Sequence, residues 1–230
     1  MAYELKLAGK TIGINRDPWS AATHFAGFFA ALIGLVFLVM RSVGDAPRLA
    51  STVIYGISLA LLFLASASYH FFDLGLSGNK WLRKLDHSAI FLLIAGTYVP
   101  SLFHLLGGAW RVVMLAVVGT IALLGILFKL LLFDTGKKAG TLMYVLMGWI
   151  ILIPGHRMWP VISAESLAWL VGGGVAYTVG AIVYAKRWPD PWPERFGFHE
   201  VWHLFVLLGA TLHYFFVLSL MDVAYPPFGG

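Results

Sequence analysis

Seven apolar stretches, at about 19–40, 50–72, 87–106, 110–133, 139–158, 166–186 and 198–221, divide the chain into segments each close to the roughly 20 residues that carry a helix across a bilayer. In hydrocarbon a backbone has no water to bond, so such stretches fold as helices that satisfy their own N–H and C=O groups. The 230 residues are 60% hydrophobic and 12% charged with a mean hydropathy of +0.82, which leaves no room for a separate soluble domain. The sequence predicts an all-α integral membrane protein of seven transmembrane helices in one domain over 1–230.

The first stretch is expected to be retained rather than cleaved as a signal peptide. It is full length, follows a polar leader carrying Lys6, Lys10 and Arg16, and has no small-residue cleavage site before the second stretch. Asp17-Pro18 at its start reads as an N-cap followed by a first-turn proline. Twelve of the sixteen lysines and arginines fall in the leader and in the connections after the second, fourth and sixth stretches, among them Lys80, Arg83, Lys84, Lys129, Lys137, Lys138, Lys186, Arg187 and Arg195. The other face has Arg41, Arg48, Arg111 and Arg157. Positive residues stay in the cytoplasm, so the N-terminus is expected inside and the C-terminus outside. The net charge of +5 therefore points to anionic lipid as its partner and not to nucleic acid. Trp19, Trp81, Trp110, Trp159, Trp169, Trp188 and Trp202 lie near span ends and read as an interfacial belt. Small residues at Ala26, Ala30 and Gly34, and at Gly172, Ala176 and Gly180, read as faces where helices approach closely.

Polar residues inside such spans are expensive and need a reason. Ser66 and His70 are four apart on one face near the inner end of span two, Asp86 stands at the inner entrance of span three, and His199 and His203 form another i, i+4 pair at the inner entrance of span seven. Three imidazoles, a carboxylate and a hydroxyl thus arrive at one depth. With no cysteine in the chain, a tightly held transition metal must use histidine and carboxylate. Three histidines with an open fourth position is a catalytic zinc arrangement that lowers the pKa of a bound water to about 7. Iron, nickel and copper also suit imidazole. Asp86 is placed to act as general base, and Ser66 to orient Asp86 or to donate to a developing oxyanion. Taken singly, Asp86 also reads as a helix cap and Ser66 as bonded back to its own helix.

His199-Glu200-Val201-Trp202-His203 also fits the HExxH pattern of zinc proteases. An intramembrane metalloprotease would not require His70 and Ser66 on another span, and Glu200 projects about 100° around the helix from His199. Of the remaining histidines, His24 is expected to line a cavity, His87 to be structural, and His104 and His156 to be interfacial. His213, about 15 Å deeper along the helix than His203, is expected to be an interior polar contact.

Three segments together resemble the hemolysin III proteins, the bacterial branch of the progestin and adiponectin receptor family. They are Ser66-x-x-x-His70, Leu85-Asp86-His87-Ser88-Ala89-Ile90 running to Ala95-Gly96-Thr97-Tyr98-Val99-Pro100, and His199-Glu200-Val201-Trp202-His203. Ala22-Thr23-His24-Phe25-Ala26-Gly27 resembles the family's first-span pattern as well. The resemblance covers all seven spans. It implies an N-inside seven-helix fold with zinc held by His70, His199 and His203 and with Ser66 and Asp86 close to the zinc-bound water. The family is further similar to alkaline ceramidases in this residue set, which implies hydrolysis of a lipid amide in the service of membrane lipid homeostasis. A membrane lipid or fatty-acid derivative is then the expected partner, and a bacterial inner membrane the expected location. Two other functions fit the same residues: a receptor or sensor with structural zinc, and a pore-forming cytolysin. Against the pore, no ring of charged residues recurs at mid-membrane depth.

Overall fold

The structure is a computed structural model that describes residues 3–7, 10–14, 16–132, 137–193 and 195–226. The expected end of span four at 133 and the side chains of Lys6, Lys10, Lys137 and Lys138 lie outside what is described. Helix α1 (Pro18–Ser42) opens with its proline in the first turn, where a missing N–H costs nothing. A three-residue turn containing Gly44, at φ +90°, leads to α2 (Ala46–Phe71), which is capped by Asp45 accepting from the Arg48 N–H at 3.0 Å. Then follow α3 (Gly75–Leu105), α4 (Gly108–Leu131), α5 (Lys137–Gly148), the short α6 (Gly155–Met158), α7 (Ala164–Lys186) and α8 (Phe198–Ser219). Sequential neighbours pack from α1 to α4, α5 lies against α3 and α7, α7 pairs with α8, and α8 closes the ring on α1. Tyr55, Phe91, Leu102 and Phe216 are fully buried in the core between α2, α3 and α8.

Six of these helices are long and apolar enough to cross a membrane, and the fifth crossing is a shorter apolar helix. It was expected as a continuous span over 139–158. Instead α5 gives way to a 3-10 turn at Trp149–Leu152, just before Pro154, which has no N–H to donate and crowds the carbonyl four residues back. Broken backbone at this depth needs partners. Tyr98 on α3 supplies them: its hydroxyl lies 3.0 and 2.9 Å from the carbonyls of Met147 and Gly148 and accepts the Ile151 N–H at 2.8 Å.

Helix α3 begins at Gly75, twelve residues before the expected 87. Its 31 residues make about 46 Å of helix against about 30 Å of hydrocarbon, so the turns bearing Lys80, Arg83 and Lys84 extend into the inner interface. Lys84 there donates to the Leu130 carbonyl in the last turn of α4. Asp86 lies about three turns inside α3 and is not a helix cap. The leader forms a hairpin, β1 (Tyr3–Leu7) and β2 (Lys10–Ile14), to which β3 (Phe72–Asp73) adds antiparallel in the order β1-β2-β3. This sheet sits directly after the last turn of α2.

The two stripes of small residues match expectation at Gly34, Ala176 and Gly180 and differ at the other positions. In α1 it is Gly27, Ala31 and Gly34 that are buried, while Ala26 and Ala30 face outward. A methyl group on Gly27 would stand 2.8 Å from Leu207 and Phe63, and the Tyr214 hydroxyl donates to the Gly34 carbonyl at 3.1 Å. In α7, Gly173, Ala176 and Gly180 are buried, with Gly173 against the His213 ring. Trp19, Trp81, Trp159 and Trp188 are exposed as a belt requires, but Trp202 packs on Tyr184 and His203 instead. His104, expected at the interface, is buried 3.4 Å from the Val223 carbonyl. Gly27→Leu should therefore destabilise the bundle by about 1–3 kcal/mol through overpacking. Ala26→Leu, one position around the helix, should leave the detergent unfolding transition in place; equal losses for the two would contradict the register.

Candidate metal centre

The inner end of the bundle brings together the C-terminal turn of α2, the N-terminal turn of α8 and the start of α1. His70, His199 and His203 meet there, each offering a ring nitrogen within 4.8 Å of the other two. The i, i+4 spacing puts both α8 imidazoles on one helix face, and ring closure through α1 sets that face against His70. Nε2 of His70 and Nε2 of His199 are 3.3 Å apart. Two ligands about 2.0–2.1 Å from a tetrahedral ion stand roughly 3.4 Å apart. His203 is fully buried, and neither of its ring nitrogens has a hydrogen-bond partner among the described residues. A buried imidazole is normally bonded, and a metal ion would satisfy one of these two nitrogens; both ring nitrogens of His24 likewise have no described partner. The set contains three imidazoles and no carboxylate, which fits zinc and the other imidazole-binding metals of the first transition row.

A carboxylate that sequence reasoning assigned to another task orients this set. Asp17 occupies the N-cap position of α1 but makes no side-chain cap. Its carboxylate instead accepts from Nδ1 of His70 at 3.0 Å, while its N–H donates to the His70 carbonyl at 2.9 Å. The neighbouring Arg16 N–H reaches the Phe71 carbonyl at 3.4 Å. The N–H groups of Arg16 and Asp17 thus close the C-terminal turn of α2, and the same step delivers the Asp17 carboxylate to His70. Nδ1 must carry the proton in this bond, which leaves the Nε2 lone pair for a metal. Burial alone would raise the Asp17 pKa, but the His70 hydrogen bond and charge, together with Arg16, hold it below the usual carboxylate value. His24 was also assigned only a place in the cavity wall. It does line that wall, and its ring also stacks on His203, with centroids 3.8 Å apart and planes at 19°.

Glu200, the glutamate of the HExxH segment, is occupied elsewhere. One oxygen accepts the Gly197 N–H at 2.8 Å and the other the Ser20 hydroxyl at 2.8 Å, so it caps α8 and ties it to α1. His213 makes the interior contact expected of it, with Nε2 3.1 Å from the Leu170 carbonyl.

His199 also borders a cavity of about 380 Å³ whose wall includes Ser66 and Asp86. Both are buried. The Ser66 hydroxyl is not bonded back to its helix, as those of Ser58 and Ser101 are at 2.7 Å. No hydrogen bond joins it to Asp86 among the described residues, and Nδ1 of His87 lies 3.7 Å from that carboxylate. His87 bonds the Arg83 carbonyl at 2.8 Å and borders the same cavity. From Arg83 to Ser101 the wall follows α3 for about 27 Å, polar at its inner end and lined beyond by residues such as Leu93, Ile94 and Val206. Replacing Asp17 with asparagine should lower metal affinity about 10–100-fold, the effect of losing a carboxylate behind a histidine ligand. Competition against a fluorescent chelator measures this; unchanged affinity would remove Asp17 from the site.

A family profile described as Haemolysin-III related matches residues 12–214. The chain is 34% identical over 215 residues to the protein named Hemolysin-3 of Bacillus cereus, covering 93% of this chain and 95% of that one. It is 34% identical over 210 residues to a Hemolysin-3 homolog of Bacillus subtilis (strain 168), covering 89% and 94%. More distantly it is 27% identical over 225 residues to the adiponectin receptor protein of Drosophila melanogaster, covering 87% of this chain and 50% of that one. With the profile spanning nearly all seven crossings and two relatives above 30% along almost their whole length, the chain belongs to the haemolysin-III related family.

Proposed function

We propose that the protein is a zinc-dependent hydrolase of lipid amides that serves lipid homeostasis in a bacterial inner membrane. His70, His199 and His203 hold the ion in this reading, Asp86 is the general base and Ser66 a hydrogen-bond donor to the reacting carbonyl. The observation that carries the reading is a three-histidine cluster that borders, through His199, a long cavity walled in part by a buried carboxylate, a buried serine and apolar side chains. Bound zinc supplies Lewis acidity and a nucleophile at neutral pH. Asp86, outside the ligand set and facing the cavity, is free to take a proton from the attacking group and pass it to the leaving amine. The apolar stretch accepts an acyl chain and keeps bulk water from it.

A receptor or sensor held together by structural zinc is favoured by a separate observation, the bridging of α2 to α8 by the triad. The name of the Drosophila relative, an adiponectin receptor protein, points the same way. The two readings separate experimentally. Elemental mass spectrometry of purified protein should find close to one zinc per chain, lost in the His199→Ala/His203→Ala variant. Asp86→Ala should keep the zinc and lose turnover of a ceramide about 10²–10⁴-fold. Undiminished turnover in that variant excludes the hydrolase mechanism, whereas a metal-dependent melting temperature without any hydrolysis supports the clamp.

A further inference from the structure

We infer that the cavity accepts an amphiphile bearing an anionic group, and that Lys129 holds that group. The inference deepens the hydrolase reading by naming a substrate class, and depends on it only for the occupant being cleaved.

Lys129 lies in the last turn of α4 and is the one described residue of that helix in the cavity wall. It is 4% exposed. Its ammonium stands 5.7 and 5.6 Å from the ring centroids of Phe128 and Tyr144, and it makes no ion pair with a described carboxylate. The opposing residue on α5 is Gly140, where even a methyl group would collide with the ammonium. The fold therefore leaves room for the cation to reach inward. A buried charge in a membrane helix is costly unless it is paired, and aromatic faces offset only part of that cost. Asp86 is the one carboxylate among the described residues of that wall. That carboxylate lies 3.7 Å from Nδ1 of His87, and no ion pair joins it to Lys129 among the described residues. Lys129 thus places a positive charge at the inner end, while Leu93, Ile94 and Val206 make part of the remaining wall apolar between hydroxyls such as Thr97 and Ser101. A ligand complementary to both has an acyl chain and an anionic head, as in an N-acyl amino acid.

The test uses the full chain in mild detergent, stripped of metal by a chelator so that neither turnover nor a carboxylate bond to the ion contributes. Binding of radiolabelled N-palmitoylglycine is compared with that of its methyl ester, which has the same chain and amide but no charge. The acid should bind about 10–100-fold more tightly than the ester, the range of one charge-assisted hydrogen bond. Lys129→Gln should bring the acid to the level of the ester and leave the ester unchanged; Lys129→Met serves the same purpose if the glutamine variant does not fold. Equal binding of the two compounds by the unmodified protein overturns the inference without any variant, as does a preference for the acid that survives both substitutions. With zinc restored, preference for the acid without cleavage of either compound refutes the hydrolase reading alone. Cleavage of both without preference refutes the charge recognition alone.

Discussion

Backbone in hydrocarbon has to find its hydrogen bonds inside the protein, and three departures from plain helix among the described residues are placed where that demand is met. The fifth crossing breaks before Pro154, and the Tyr98 hydroxyl takes up the carbonyls of Met147 and Gly148 and the N–H of Ile151. The end of α2 is closed by the N–H groups of Arg16 and Asp17, and the start of α8 by Glu200. These repairs position chemistry as well. Closing α2 puts a carboxylate on His70, and capping α8 turns Glu200 to Ser20 and away from the ligand nitrogens.

The crossings and the histidine triad were legible in the sequence because both depend on short-range periodicity. A run of about 20 apolar residues reports a span, and two histidines four apart report one helix face. Features that depend on long-range pairing were not legible. Asp17 before Pro18 has the local signature of a cap, and only the seating of β2 on the end of α2 diverts its carboxylate to His70. The early start of α3 was hidden because its first turns are polar and hydropathy reports hydrocarbon, not helix. The stripe in α1 was read correctly at Gly34 but one position early at Ala26 and Ala30: Ala26 and Gly27 are both small, and only the location of Phe63 and Leu207 decides which turns inward.

The small residues and the metal centre are linked through α1. Gly27 and Gly34 let α1 settle closely against α2 and α8, with Phe63 and Leu207 meeting Gly27 and Tyr214 meeting Gly34. That close approach brings His24 face to face with His203 and Ser20 within reach of Glu200. Helix α1 contributes no metal ligand, yet it supplies the carboxylate behind one ligand and the stacking surface for another. Precision at the site is thus obtained from packing between helices, which lipid does not drive by hydrophobic burial and which small residues make favourable by close contact.

A structural role and a catalytic role for the ion make different demands on the same side chains, and the geometry accommodates both. Joining α2 to α8 requires three nitrogens converging from two helices, and such an ion adds its binding free energy to folding. Catalysis requires in addition an open coordination position, a base that is not itself a ligand, and a dry space for the substrate. His70 and His203 are withdrawn from the cavity while His199 borders it, so the triad is buried on the side that clamps and accessible on the side that faces the apolar space. A purely structural site would gain nothing from a buried carboxylate in the wall of that space, because a buried charge costs stability that a leucine there would not. In the proposed hydrolase, Asp86 more than the histidines is therefore the residue that argues for chemistry.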